Sequence, residues 1–547
     1  MRAVLCALNA KYIHTNLAVR YIKAFLEKNA SGVDCEILEE TVNTKDEIIL
    51  ENLLLKKPDV ILFSVYIWNA QTVLRLCKKI REKNPKILIS LGGPEVSFAA
   101  KEYLAYPFVD FVQCGEGERS TAVLLETLLK GEQAPKGYGI CHKKDGEFVI
   151  EKQYYEPDLN ALESPYTDEY ISAVSGRLAY FESSRGCPFS CAFCLSGACK
   201  GVRNFDLDYV KTALLSLLES GVKTVKFVDR TFNTDRERAD EIISFLIEHS
   251  GEKPKVCFHF EIAADILKES TLKLLQKAPK GLFQIEAGIQ SFNKKTLSSV
   301  TRKNNVDKVC ENVRALLKNK NVHTHVDLIA GLPYEDYESF RVSFNRAYDL
   351  KADMLQLGFL KLLHGSRLRE EKEQHGFVFE EKAPYTVKAT NWLTEEEMEK
   401  LYDVEDANEK IHNSGRFRES LSYVLEVSGK TPFDLFLEFG RKPSMSLDDY
   451  TEQVYIYFSN LPGVEKAELR DLMCIDRLRT NSTGKLPEVL KRKDARKKKI
   501  ANALPKASKN TKRAICILYS KGQAVYVDYK EKETPPYHLN FVDLEMF

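Results

Sequence analysis

The sequence predicts an α/β protein with a doubly wound parallel sheet over residues 1–135, a partial (β/α)6 barrel over 173–375 and a mainly helical domain over 376–547. The first two assignments depend on short apolar runs that alternate with helical patterns, as is typical of parallel strands covered on both faces. The third depends on apolar residues that recur at helical spacing. A predicted hairpin and a polar, proline-bounded linker occupy residues 136–172.

The composition is that of an ordinary globular protein, with 44% hydrophobic and 29% charged residues in 547. No apolar run approaches the roughly 18 residues of a membrane-spanning helix, and the apolar stretch Ala3–Leu8 is too short for a signal peptide. The thirteen cysteines are odd in number and scattered, unlike a disulfide framework. We therefore expect a cytoplasmic protein without a membrane partner.

The predicted N-terminal sheet has five strands with helices between them. Its strands are Ala3–Leu8, Val33–Leu38, Val60–Tyr66, Ile87–Leu91 and Phe108–Val112, and its helices include Leu17–Leu26, Ala70–Arg81 and Ser120–Leu129. Ligands of such sheets bind beyond the carboxyl ends of the strands. Ser64, Gly92 and Gly93 lie there and are candidate cofactor-binding residues, because glycines let a ligand approach the backbone. For any single loop, a tight turn explains the glycines equally well.

Three cysteines, Cys187, Cys191 and Cys194, follow the apolar run Arg177–Phe181 at C-x3-C-x2-C spacing. Three thiolates can hold three irons of a cubane cluster and leave the fourth iron open, whereas closed clusters and structural zinc sites usually take four protein ligands. A zinc site, or a cluster with Cys199 or a distant residue as fourth ligand, is the alternative. No second cysteine pair stands at zinc-ligand spacing.

With Phe193 directly before the last cysteine, this motif resembles the signature of the radical S-adenosylmethionine (SAM) enzymes. The resemblance implies that Cys187, Cys191 and Cys194 ligate a 4Fe-4S cluster whose open iron binds SAM. It also implies a reductant, such as flavodoxin or ferredoxin, whose electron cleaves SAM to a 5′-deoxyadenosyl radical.

The N-terminal region resembles the Rossmann-like cobalamin-binding domain that is fused to many of these enzymes. The similarity is carried by the Gly92-Gly-Pro loop and the following segment Asp110–Glu118. The Asp-x-His-x-x-Gly motif that supplies an axial histidine in many cobalamin proteins is absent. His14 stands at a different offset, and we favour a loop or substrate-side role for it. Two interpretations of this domain therefore stay open. It binds cobalamin without a histidine ligand from the protein, or it does not bind cobalamin.

Six strand patterns separated by helical patterns predict the barrel. They are Arg177–Ser183, Val222–Asp229, Lys255–Ile262, Leu282–Ala287, Val322–Ala330 and Met354–Phe359. Active sites of such barrels lie at the carboxyl ends of the strands.

The resemblance also implies residues that contact SAM at those strand ends. Asp229 and Thr231 stand where the family often has Gly-Gly-Glu, and an acid near the SAM ammonium is chemically sensible. An equal alternative is that Asp229 pairs with Arg230 or caps the next turn. Glu286 matches an acid that receives the ribose hydroxyls, and the backbone beside Ile329 and Gly331 matches the adenine-binding strand.

Residues 376–547 resemble an uncharacterised domain that accompanies one branch of the cobalamin-domain radical enzymes. Its sharpest feature is a basic segment, 485–513, with twelve Lys or Arg against two acids. Charge alone favours nucleic-acid binding by residues 491–499. The run lacks the interleaved aromatics that stack on bases, so we favour a solvated connector.

These patterns predict a radical SAM enzyme. If cobalamin is bound, the resemblance implies methyl transfer to an unactivated centre. If it is not, the radical alone would drive a rearrangement, cyclisation or cleavage. A radical SAM enzyme that modifies RNA and a non-catalytic cobalamin or redox sensor are the alternatives. No pattern identifies the substrate or the residues that act on it.

Overall fold

The structure, a computed structural model, describes residues 1–198, 201–505, 507, 511–530 and 534–546. The chain forms two compact units. Unit 1 contains residues 1–336 and 358–394, and unit 2 contains residues 337–357 and 395–547. Among the described helices, none is both long and apolar enough to cross a membrane.

The N-terminal part of unit 1 is a seven-stranded sheet with helices between its parallel strands. The strands are β1 (Arg2–Asn9), β2 (Asp34–Thr41), β3 (Val60–Ser64), β4 (Leu88–Gly92), β5 (Phe111–Gln113), β6 (Ile140–Lys144) and β7 (Glu147–Val149). The helices are α1 (Leu17–Asn29), α2 (Asp46–Leu55), α3 (Ala70–Lys83), α4 (Ala100–Leu104) and α5 (Gly117–Lys130). The strand order is β2-β1-β3-β4-β5-β6-β7, and β1 to β5 are parallel.

The predicted parallel sheet is therefore confirmed, with one difference at its edge. The hairpin β6–β7, which we had expected in a connector, pairs antiparallel with β5 and extends the sheet. In the doubly wound part, the order of the strands reverses between β1 and β3. Ligands of such sheets bind at this switch point, beyond the carboxyl ends of the strands.

The second part of unit 1 contains the cysteine loop and the barrel. Its elements begin with α6 (Asp168–Ala173), β8 (Leu178–Phe181), β9 (Ser184–Cys187), β10 (Gly201–Asn204), α7 (Leu207–Glu219), β11 (Thr224–Phe227), α8 (Arg236–Ser250) and β12 (Cys257–Ile262). They continue with α9 (Glu269–Lys277), β13 (Phe283–Gln290), α10 (Lys294–Ser299), α11 (Val306–Leu317), β14 (His323–Ala330), α12 (Tyr337–Tyr348), β15 (Met354–Phe359), α13 (Arg367–Glu370), β16 (Val378–Phe379) and β17 (Val387–Ala389). By the division above, α12 and the first part of β15 belong to unit 2.

The barrel strands lie in sequential order, β8-β11-β12-β13-β14-β15, which confirms the predicted (β/α)6 arrangement. β8 and β11 to β14 pair in parallel. Phe181, Phe227 and Phe260 pack ring to ring across three strands, with centroids 4.8 and 4.6 Å apart. Because side chains alternate along a strand, the intervening polar residues point to the opposite face.

Unit 2 is mainly helical, as the sequence predicts. Its other elements are α14 (Glu395–Ala407), α15 (Arg418–Ser428), α16 (Pro432–Phe439), α17 (Leu447–Ser459), α18 (Lys466–Thr480), α19 (Arg496–Ala503), β18 (Lys512–Leu518), β19 (Gln523–Tyr529) and β20 (Asn540–Asp543). The three strands form one antiparallel sheet. In the basic segment, Arg496 pairs with Asp494 at 2.8 Å and Lys491 pairs with Glu488.

Candidate functional site

The cysteine loop begins at the end of β9, and its three thiols lie close enough to affect one another. Cys187 and Cys191 are buried, and Cys194 is half-buried. Burial raises the pKa of the Cys191 thiol, Arg302 opposes that shift, and Cys194 and Cys187 add to it. Three sheltered thiols on one short loop fit the donor set of a 4Fe-4S cluster with an open iron. Cys199, the alternative fourth ligand, lies outside the described residues.

The segment after α10 holds the cysteine loop on one side. The backbone N–H of Ala192 donates to the carbonyl of Val300 at 3.0 Å, and Thr301 Oγ1 donates to the carbonyl of Ser190 at 2.7 Å. Arg302 Nη1 lies 3.6 Å from Cys191 Sγ, and Nη2 of the same side chain donates to the carbonyl of Gly288. The guanidinium thus links the cysteine loop to β13. We did not predict Arg302 as a site residue, because one arginine after a helix carries no sequence signal.

Asp229 holds the strand that leads into the loop. Its carboxylate accepts from the Ser183 N–H at 2.9 Å, from Ser183 Oγ at 2.6 Å and from Ser184 Oγ at 2.6 Å. The side chain is fully buried, and burial raises the pKa of this carboxyl. These contacts give Asp229 a role in fixing Ser183 and Ser184, and the contact with SAM stays a prediction. Thr231 does reach the site, with Oγ1 3.5 Å from Cys187 Sγ.

Two arginines that flank the cysteine loop bind it to the N-terminal sheet. Arg185 contacts Glu118 at 2.6 Å, Glu182 at 2.8 Å and Glu116 at 3.3 Å. Arg203, on β10, contacts Glu116 at 2.5 Å. Glu116 directly precedes α5 and Glu118 lies in its first turn, within the segment Asp110–Glu118 in which we predicted no role for either acid. Burial acts to lower the pKa of Arg185, but the surrounding glutamates outweigh it and keep the guanidinium charged.

A cavity of about 710 Å³ lies where the strand ends of the sheet meet the barrel. From the sheet it is lined by Asn9, His14, Ser64, Gly92, Gly93 and Gln113. From the barrel and the cysteine loop it is lined by Tyr180, Ser184, Arg185, Gly186, Leu195, Lys226 and Glu261. The three residues predicted to bind a cofactor in the N-terminal part, Ser64, Gly92 and Gly93, therefore share one cavity.

Local geometry accounts for two of these lining positions. Gly93 has φ +114°, and a Cβ there would lie 2.5 Å from the carbonyl oxygen of Val65, so only glycine fits. His14 Nδ1 lies 2.7 Å from Tyr180 Oη, so the ring is bonded to the first barrel strand. The cavity combines backbone at strand ends with amide and hydroxyl side chains. This donor set fits a large polar cofactor such as cobalamin held without a histidine ligand.

The remaining predicted residues line the barrel. Glu286 lies 3.1 Å from His259 Nε2 and 3.8 Å from Lys226 Nζ. Ile329 packs in one apolar cluster with Ala192 and Phe193 of the cysteine loop. Gly331 directly follows β14 and has φ +91°. Lys226 and His259 were not predicted, although the alternation of polar residues along the strands was visible in the sequence.

Comparison with known protein families gives three consecutive matches. Residues 4–125 match the B12 binding domain, residues 181–347 match the radical SAM superfamily, and residues 373–531 match a protein of unknown function, DUF4080. The chain therefore contains a B12-binding domain followed by a radical SAM domain. These matches imply a 4Fe-4S cluster, SAM and cobalamin as its cofactors.

Individual relatives agree with the family matches. The chain is 28% identical over 309 residues to the cobalamin-dependent radical SAM methyltransferase TokK of Streptomyces tokunonensis, a match that covers 52% of this chain and 44% of TokK. It is 26% identical to the uncharacterized methyltransferase PH0819 of Pyrococcus horikoshii, covering 55% of this chain and 66% of that protein. The chain thus spans about half the length of the first of these curated relatives.

A solved structure shares the fold over most of this chain. The cobalamin-dependent SAM radical enzyme OxsB, with aqua-cobalamin bound, has a TM-score of 0.62 at 16% identity and covers 87% of this chain and 79% of OxsB. TsrM of Kitasatospora setae, with cobalamin and a [4Fe-4S] cluster bound, has a TM-score of 0.54 at 18% identity, covering 70% of this chain and 76% of TsrM.

Replacing Arg302 tests its effect on the cysteine loop. In cluster-free, reduced protein, Arg302→Met is expected to raise the pKa of Cys191, because the guanidinium favours the thiolate. The rate at which iodoacetamide alkylates Cys191, measured by mass spectrometry at a series of pH values, should then reach its midpoint at a higher pH. Lys303→Met, an exposed neighbour, is the matched control. An unchanged midpoint in Arg302→Met would contradict this role.

Replacing Arg185 tests the contact between loop and sheet. Arg185→Met leaves Glu118 and Glu182 buried without their partner, which should cost about 3–5 kcal/mol. Urea unfolding followed by tryptophan fluorescence should show a lower midpoint, and Arg236→Met on the surface of α8 should not. Adding Glu118→Gln and Glu182→Gln to Arg185→Met should recover part of the loss. If the midpoint does not move, the ion pairs do not hold the loop.

Proposed function

We propose that this protein is a cobalamin-dependent radical SAM methyltransferase. The observation that carries the proposal is a cavity in unit 1 that is lined from one side by Ser64 and Gly92 and from the other by Ser184–Gly186 and Leu195–Ser196. A corrinoid held at the sheet therefore faces the loop that holds the cluster. The methyltransferases among its relatives support the same assignment.

The cofactors supply the difficult chemistry, since a reduced cluster can cleave SAM to a radical and a corrinoid can carry a methyl group. The protein's part is to hold and orient them. Cys187, Cys191 and Cys194 bind the cluster, and Thr231 lies beside Cys187. A donor such as flavodoxin or ferredoxin provides the electron.

Residues of β14 are the best supported contacts for SAM. Ile329 packs with Phe193, so the backbone from Ile329 to Gly331 runs beside the cysteine loop, where an adenine bound next to the cluster would lie. The ribose contact predicted for Glu286 competes with the interaction that its carboxylate makes with His259. Asp229 is left out of the SAM site, because its oxygens already accept three hydrogen bonds.

The test is an anaerobic assay on the reconstituted protein. Iron, sulfide and hydroxocobalamin are added, excess is removed by gel filtration, and dithionite and SAM follow. We expect one corrinoid per chain, a change of its absorbance on addition of SAM, and 5′-deoxyadenosine with S-adenosylhomocysteine among the products. If the absorbance of the 4Fe-4S cluster is intact and no SAM is consumed, the proposal that the protein is an enzyme is refuted.

Two variants separate the cofactors. Cys194→Ser should abolish the cluster and 5′-deoxyadenosine but keep the corrinoid. Gly92→Phe should lose the corrinoid and keep the cluster, because the ring fills the cavity that Gly92 lines. Gly92→Ala is the size control, since its Cβ would meet Gln113 only at 3.9 Å. Equal corrinoid binding by Gly92→Phe and Gly92→Ala would place cobalamin outside this cavity.

A further inference from the structure

A polar cluster occupies the face of the barrel strands opposite the packed phenylalanines. It contains Lys226, His259, Glu261, Glu286 and Asp327, from four neighbouring strands. Glu261 and Glu286 stand at paired positions of β12 and β13. One nitrogen or oxygen from each of His259, Glu261 and Glu286 lies within 4.8 Å of the other two. Their side chains thus converge on one point.

Two buried polar atoms of this cluster have no hydrogen-bond partner. His259 is 4% exposed, and its Nε2 lies 3.1 Å from Glu286 Oε2 but off the line of a hydrogen bond. Asp327 Oδ1 is also buried without a hydrogen bond. Buried polar atoms are nearly always paired, because each unpaired one costs about 1–3 kcal/mol. A ligand bound among these side chains would supply a partner for both atoms.

The charges point to a cation. Three carboxylates, Glu261, Glu286 and Asp327, share this space with Lys226. Lys226 Nζ lies 3.8 Å from Glu261 Oε1 and 3.8 Å from Glu286 Oε2. Both distances are longer than the roughly 2.7–2.9 Å of a direct hydrogen bond between charged groups. The lysine side chain is one-third exposed, at 33%, and lines the open cavity, so it can move aside.

We propose that His259, Glu261 and Glu286 bind a divalent first-row transition ion, with Asp327 beside it. One imidazole and carboxylate oxygens are ligands that Mn²⁺, Fe²⁺ and Zn²⁺ accept. Because Glu261 lines the cavity, the ion's remaining positions face the space open to a substrate, and a carboxylate or hydroxyl of that substrate can bind there. In this proposal the carboxylate of Glu286 binds the ion and does not contact the ribose of SAM as the sequence predicts. The site does not depend on methyl transfer.

The test uses the full chain with its cluster reconstituted and oxidised, so that the cluster gives no EPR signal. Mn²⁺ is titrated, and the signal of free Mn²⁺ reports how much is bound. We expect one Mn²⁺ per chain, with nitrogen modulation in pulsed EPR from the histidine. His259→Gln, which keeps the volume, and Glu261→Gln should each weaken binding at least about tenfold, since even outer-shell partners are worth about 10–100-fold. His259→Gln should also lose the modulation.

Three further variants make the result decisive. His249→Ala, exposed on α8, is the control for surface binding and should bind as the natural chain does. Lys226→Met removes a competing charge and should bind more tightly. Glu286→Gln should lose Mn²⁺ and keep its affinity for SAM.

Several outcomes would overturn the site. Absence of Mn²⁺ binding by the natural chain would do so, as would unchanged binding by His259→Gln. Binding seen only in Lys226→Met would show that the lysine is itself the cation of this cluster. Loss of SAM affinity in Glu286→Gln with Mn²⁺ binding intact would instead assign this carboxylate to the ribose.

Discussion

The buried guanidinium of Arg185 is the contact on which the site depends. It stands just before Cys187 and binds Glu118 at 2.6 Å and Glu182 at 2.8 Å. Without it, these carboxylates would be buried unpaired, which is strongly unfavourable. The cysteine loop is therefore held against the N-terminal end of α5, and this contact brings the cluster site to the same cavity as the strand ends of the cobalamin-binding domain.

Two further contacts fix the loop within the barrel. Asp229 accepts three hydrogen bonds from Ser183 and Ser184 at its start. Arg302 joins Cys191 to the carbonyl of Gly288 on β13. The thiols are thus positioned by the protein from both sides, as a cofactor site requires when its supporting residues must stay rigid.

The fold and the cysteines could be predicted because their signals are local. Apolar runs indicate buried strands, and three cysteines in eight residues indicate a metal site.

The contacts that position the site could not be predicted in this way. Arg185 and its partner Glu118 are 67 residues apart, and no periodic pattern in the sequence relates them. The contacts of Asp229 with Ser183 and Ser184 could not be predicted, because an acid at a strand end can face a ligand or the neighbouring backbone, and the sequence is the same in both cases. The hairpin β6–β7 was recognised, but the edge with which it pairs is a tertiary property. The polar cluster of Lys226, His259, Glu261, Glu286 and Asp327 could have been predicted, since polar residues alternate with apolar ones in Phe283–Gln290, unlike in a strand buried on both faces.

The most direct measurement is EPR of the protein loaded with both cofactors. Cob(II)alamin and the reduced cluster each carry an unpaired spin, so two centres in one cavity must broaden each other's signals and speed their relaxation. We expect the cob(II)alamin signal of the natural chain to differ from that of Cys194→Ser, which lacks the cluster. Identical cob(II)alamin spectra and relaxation in the two proteins would contradict a shared cavity.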